Sequence, residues 1–347
     1  MEGKGIFTIS LDFELYWGFR DKRSLDSVQE LLENTHRVFP RMLGIFRKYD
    51  VKATFATVGL LAAESREDMF RYIPSEKPQY TNPNLSPYTD EMILVGDNPD
   101  VDSYHYAGKL LDLLREYPEH EIGTHTFSHY YCQAEGGSLT AFRADLKAAE
   151  AISRDKNLGM DSIVFPRNEC TPAHLEICKE LGIKTYRGIE PIWFRNPKPN
   201  KRFEAVYRII RTLDCYLNIS GNHCYNLENI ERRLPLNVPS SRFLRPYMPK
   251  GGRILETLKI RRIKKGMTQA AKKGKLFHLW WHPHNFGNNS EENLTTFDEI
   301  LQHYKELERL YGFQSSTMGE VGTLVSTMQM SKNKSSYGEI DTLPMVS

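Results

Sequence analysis

The chain has 347 residues, with 46 Lys and Arg against 44 Asp and Glu, for a formal net charge of +2. That length can bury one large α/β core or two smaller ones, and the near balance of charge gives no electrostatic case for nucleic-acid binding. The cysteines (Cys132, Cys170, Cys178, Cys215 and Cys224) are odd in number and lack a Cys-x-x-Cys pair, so reduced thiols are expected.

Ile6 to Leu11 is apolar and β-branched enough for a buried strand, and it delivers Asp12 and Glu14 at its C-terminal end. Apolar residues from Val28 to Phe46 recur at helical spacing, with Pro40 predicting a kink. Val51 to Val58 then completes a right-handed βαβ unit. From about Ala63 to Asp102 the periodicity fails. This predicts an irregular insertion, either a wall or lid over the strand ends or a peripheral or oligomer-contact loop.

Helical spacing resumes at Tyr106 and leads into a strand that ends at His125. Phe142 to Ile152 predicts a helix and Ile163 to Phe165 a short strand. Thr171, Pro172 and Gly182 bracket the next helix through cap, first-turn and C-terminal signals, and Ile183 to Tyr186 is the following strand. Glu190 to Pro249 is mixed, with a strand expected at Ala205 to Ile210. Arg253 to Lys275 predicts a basic helix, and Leu276 to Trp281 an apolar strand opening into His282-Pro283-His284. Phe297 to Leu310 reads as a helix, Gly312 to Ser316 as a strand and Met318 to Met328 as a last helix. Residues 1–330 are expected to form one catalytic domain with insertions near 63–102 and 190–275, followed by a disordered tail at 331–347.

Strands alternating with helices imply a parallel sheet whose active groups gather at the C-terminal strand ends. Asp12, Glu14, His125, Arg167 and His282 all fall just after predicted strands. His125 and His129, four residues apart across a turn, can chelate one metal ion, with a third ligand drawn from an acid at a neighbouring strand end. Asp12 and Glu14 are two apart and can divide labour between ligand and base.

These residues resemble the polysaccharide deacetylase family, the NodB-homology domain of carbohydrate esterases. The likeness rests on Ser-Leu-Asp12-Phe-Glu14, the strand at Ala53 to Phe55, Gly123-Thr124-His125-Thr126-Phe127-Ser128-His129, Phe165-Pro166-Arg167 and Trp280-Trp281-His282-Pro283. The resemblance implies a distorted (β/α) barrel of fewer than eight strands. It also implies a divalent ion, zinc first with cobalt, nickel or manganese as alternatives, held by Glu14, His125 and His129. Thr126 would brace the histidine loop, Asp12 would be the base, Arg167 would orient it, and His282 would be the general acid. The spaced acidic pair leaves the reverse assignment of Asp12 and Glu14 open. Trp17, Asn168, Trp280, Trp281 and His284 would line the sugar pocket, and a backbone N–H near Asn168 would hold the oxyanion.

The expected activity is removal of an N-acetyl or other small acyl group from an amino sugar or glycan precursor in surface polysaccharide synthesis. The competing readings are a glycosidase using Asp12 and Glu14 and a non-catalytic carbohydrate-binding protein on the same fold. The absence of a secretory leader pattern and of a membrane-length apolar run leads to an expected cytoplasmic location. The basic segment 253–275 either lies on an anionic membrane or holds substrate phosphates, or is a barrel helix with a solvated basic face.

Overall fold

The computed structural model describes residues 4–89, 91–192, 204–231 and 233–338. β1 (Ile6–Phe13) is buried along its whole length, as a central strand must be when both faces are covered. In chain order there follow α1 (Gln29–Lys48), β2 (Thr54–Thr57), α2 (Arg66–Arg71), α3 (Glu91–Leu94), α4 (Gly108–Arg115), β3 (Glu121–Thr124), α5 (Leu139–Asp155) and β4 (Ser162–Ile163). The second half comprises α6 (Pro172–Glu180), β5 (Thr185–Tyr186), α7 (Glu204–Asp214), β6 (Leu236–Asn237), β7 (Arg242–Phe243), α8 (Gly252–Lys272), β8 (Leu276–Trp281), α9 (Ser290–Tyr311), β9 (Gln314–Ser315) and α10 (Met318–Gly338). None of the described helices is long and apolar enough to cross a membrane.

The strands run in the order β6-β5-β4-β3-β2-β1-β8-β7, with β9 also paired to β1, and the pairings are parallel. The two edge strands, β6 and β7, are sequence neighbours, and the linker between them ties the edges together. Ser240 N donates to Gly188 O beyond β5, and Ser241 N donates to His278 O on β8. The sheet is thus curled into the distorted (β/α) barrel expected from the sequence, although eight strands rather than fewer lie along its path.

Strand alternation sorts the side chains. Phe7, Ile9, Leu11 and Phe13 join the main core beneath the helices, while Ser10 and Asp12 share the other face, inside the barrel. On β8 the same rule separates two adjacent tryptophans. Trp281 is fully buried among Phe46, Phe286 and Phe297 in the outer core, so it lines no sugar pocket, and Trp280 takes the inner face.

Three expectations change. Ala205 to Ile210 is part of α7, because Val206, Ile209 and Leu213 repeat at helical rather than alternating spacing. The insertion carries α2 and α3, with Met69, Met92 and Val95 buried against the main core. The last helix continues to Gly338, past the expected start of a tail at Ser331, and 339–347 lie outside the described residues. The basic helix is present as α8, yet its charge is partly consumed. Lys259 and Arg262 are buried, and Lys264 pairs with Glu299 at 2.8 Å, leaving Arg261 and Lys265 outward.

Replacing a large aromatic in a packed core removes its transfer energy and leaves a void. Trp281→Ala is expected to lower the unfolding free energy by about 3–5 kcal/mol in urea titration. Near-native stability of that variant would show that Trp281 is not part of the core.

Candidate active site

The site forms where β1, β3, β4, β5 and β8 end. Glu14 follows β1 by one residue and turns into a short 3-10 helix, Leu15–Gly18. Gly18 is needed there, since a Cβ at that position would lie 2.1 Å from the Glu14 carboxyl carbon. Glu14 Oε2 lies 3.1 Å from His129 Nε2 and 3.3 Å from His125 Nε2. These three buried residues form a group whose ligand atoms lie within 4.8 Å of one another.

The donor set fits a divalent ion. His125 Nδ1 lies 2.8 Å from the carbonyl of Val164; donating a proton there leaves the lone pair on Nε2. Burial pushes the His129 imidazole down to about 4, so it is neutral as a ligand must be, and its Nδ1 is a buried atom without a hydrogen-bond partner. Burial alone would raise the Glu14 carboxyl, but the imidazoles of His282, His125 and His129 outweigh it and hold the group well below the usual range.

The histidine loop is braced from two sides. Thr126 Oγ1 accepts from Tyr130 N at 2.7 Å, the bracing role expected for it. Asp145 on α5, buried and missed by sequence reasoning, accepts from Phe127 N at 2.8 Å, from Ser128 N at 3.1 Å and from the Ser128 hydroxyl. Its signal was an acid on the apolar face of α5, between Phe142 and Leu146. Backbone strain collects here as well: Leu15, Thr126, His129, Arg167 and Asn168 all have positive φ, an uncommon conformation for side-chain-bearing residues.

Asp12 is oriented by Arg187 rather than by Arg167. Arg187 Nη1 donates to Asp12 Oδ1 at 2.6 Å and Nη2 to Oδ2 at 2.8 Å, a fork-on-fork pair buried on both sides. Burial would raise the Asp12 carboxyl, but the Arg187 guanidinium and then His282 and His125 bring it below its ordinary value. Arg187 is itself held by Asn168 Oδ1 and Ser10 Oγ and lies 4.1 Å over the Trp280 ring. His278, pushed down to about 3 by burial, lies 2.8 Å from Ser10 Oγ through Nε2. Arg167 instead pairs with Asp21 at 2.7 Å and covers the Tyr131 ring at 4.1 Å. The strand-end rule that selected Arg167 applies equally to Arg187, directly after β5.

His282 completes the group. Its Nε2 lies 3.5 Å from Glu14 Oε1 and 3.7 Å from Asp12 Oδ2, and its ring stacks on His284 at 4.8 Å. Trp280 and His284 therefore stay at the site. Trp17 does not: it is fully buried and donates from Nε1 to His105 O at 3.0 Å. Asn168 serves Arg187 with its side chain, and its own N–H donates to Phe165 O at 2.8 Å. Part of the insertion packs beside the histidine loop: Tyr80 OH accepts from Tyr131 N at 2.9 Å and Gln79 N donates to Gly136 O at 3.0 Å.

Losing one member of a buried pair strands the other charge. Arg187→Met is expected to cost about 3–5 kcal/mol in urea unfolding, with a smaller loss for Arg167→Met. Wild-type stability of Arg187→Met would refute the central place given to this pair.

Residues 33–186 match the polysaccharide deacetylase family profile. No curated protein matches the sequence. Among solved structures, a candidate polysaccharide deacetylase from Mycobacterium smegmatis is 13% identical, with 94% of this chain and 92% of that one covered at a TM-score of 0.58, and it shares the fold. A carbohydrate esterase family 4 (CE4) enzyme from Streptococcus mutans (11% identity, 91% and 87% covered, TM-score 0.41) is a more distant likeness. So is a CE4 pseudoenzyme from Bacillus anthracis (12% identity, 93% and 66% covered, TM-score 0.43). The profile match over 33–186 and the fold shared with the Mycobacterium smegmatis protein support a likeness to the polysaccharide deacetylase family.

Proposed function

We propose that the protein is a metal-dependent hydrolase that removes an N-acetyl or similar small acyl group from an amino sugar or glycan precursor. The observation that carries this reading is the convergence of Glu14 Oε2 and two imidazole Nε2 atoms beside an aspartate held by its own arginine. Glu14, His125 and His129 would hold a divalent cation, with zinc as the first choice, and the cation supplies Lewis acidity and a water of lowered pKa. Asp12, fixed in orientation and held ionised by Arg187, accepts the proton of the attacking water. His282, within 3.7 Å of both carboxylates and partly open to solvent, delivers a proton to the departing nitrogen.

The glycosidase reading has less support. It requires one carboxyl kept protonated as the acid, whereas Asp12 and Glu14 are both held ionised. The proposal includes a cytoplasmic location and a role in building surface glycans. The free state of all five cysteines is consistent with a reducing compartment.

Metal analysis and acetate release from N-acetylglucosamine oligosaccharides test the reading together. His125→Ala and His129→Ala are each expected to lose stoichiometric metal, and a chelator to abolish turnover that added zinc restores. Full metal retention in both variants would exclude the centre. Asp12→Asn should keep metal and lose turnover, whereas Glu14→Gln should lower metal content; the opposite pattern would exchange their roles.

A further inference from the structure

A cleft of about 380 Å³ opens beside the proposed acid, lined by Trp280 and His282 together with Arg208, Arg211, Arg242 and Arg245. Among the described residues lining it, these four arginines face two carboxylates, Glu190 and Asp214. Asp214 already accepts from both Arg242 and Arg262 at 2.8 Å, one carboxylate shared between two guanidinium groups. Glu190 accepts from Ser240 Oγ at 2.7 Å. Arg208 and Arg211, on α7, have no carboxylate partner among the described residues, and Arg245 has only a 3.6 Å contact to Cys215 Sγ.

We propose that this cleft is a subsite for a phosphate or pyrophosphate group carried by the substrate. The inference rests on the deacylase reading and narrows its substrate to an activated sugar. A single carboxylate is satisfied by one guanidinium fork, as Asp12 is by Arg187. Three guanidinium groups in one cleft with no carboxylate partner among the described residues call for a ligand with more acceptor oxygens and more negative charge, which a pyrophosphate supplies. The position beside His282 puts that group next to the sugar whose acyl nitrogen is protonated. The pyrophosphate could come from a nucleotide-linked or an isoprenoid-linked sugar. Val206, Ile209 and Leu213 are exposed on the same helix that carries Arg208 and Arg211, an apolar surface beside the cleft that an isoprenoid chain could cover.

Calorimetric titration of the full chain with inorganic pyrophosphate reads the cleft without turnover. The wild type is expected to bind, and Arg208→Gln/Arg211→Gln/Arg245→Gln to bind about tenfold or more weakly. A control on α8, Arg261→Gln/Lys265→Gln, should bind as the wild type does. Absence of pyrophosphate binding by the wild type, or equal weakening in the α8 control, overturns the proposal. Turnover then separates the sources. On UDP-N-acetylglucosamine or on isoprenoid-pyrophosphate-linked N-acetylglucosamine, the triple variant should lose about tenfold more kcat/KM than on uncharged chitotetraose, and the substrate with the larger loss names the source. Equal losses on all three overturn the proposal. A wild type that cleaves none of them refutes the deacylase reading, while the titration still decides the cleft.

Discussion

The fork between Arg187 and Asp12 is the interaction on which the site depends. It joins the C-terminal end of the central strand β1 to the end of β5, and through Asn168, Ser10 and Trp280 it draws in the end of β4 and the inner face of β8. A buried ion pair is a poor source of net stability, because desolvating both charges offsets most of their attraction. Its value here is orientation. Arg187 is fixed by Asn168 Oδ1, Ser10 Oγ and the Trp280 ring, so the two carboxylate oxygens of Asp12 are held in one orientation at the end of β1.

The pair also separates two acids that lie only two residues apart. Asp12 receives a full guanidinium and is neutralised locally. Glu14 is surrounded by imidazoles, and burial keeps at least one of these, His129, neutral. That difference in surroundings is what the proposed division of labour rests on, with Asp12 acting on protons and Glu14 serving a cation. The positive-φ residues in the Glu14, His129 and Arg167 turns belong to the same logic. Side chains can be aimed into a shared point only if the backbone bends more sharply than a strand end ordinarily does, and Asp145 and Thr126 hold that bend in place.

Most of the barrel was legible because strand and helix periods differ and the cap residues of α6 punctuate the chain clearly. The metal-site candidates were legible for a local reason: His125 and His129 lie four apart, and Glu14 closely follows a strand. Arg187 was harder because its partner is 175 residues away, and nothing local in Tyr186-Arg187-Gly188 reports that distance. The two tryptophans of β8 show the opposite error. The resemblance placed both in the sugar pocket as neighbours of His282, but a period of two sends adjacent residues to opposite faces, so only Trp280 reaches the interior. In α7 the β-branched content outweighed a spacing of three and four, and in α8 the count of basic residues did not reveal that Lys259 and Arg262 point inward.

The family match ends at residue 186, one position before Arg187, which orients Asp12. His125, His129 and Asn168 lie inside the matched region, whereas Asp12, Glu14, Arg187, Trp280 and His282 lie outside it. The candidate site is therefore completed by segments brought in through the topology, chiefly the pairing of β1 with both β2 and β8. The same later portion of the chain supplies α7 and β7, whose arginines form the charged cleft beside His282. A barrel whose profile-matched part carries two of the proposed metal ligands, and whose remaining part carries Arg187, His282 and the neighbouring charge, leaves the surroundings of the histidine pair free to differ while the pair itself is kept.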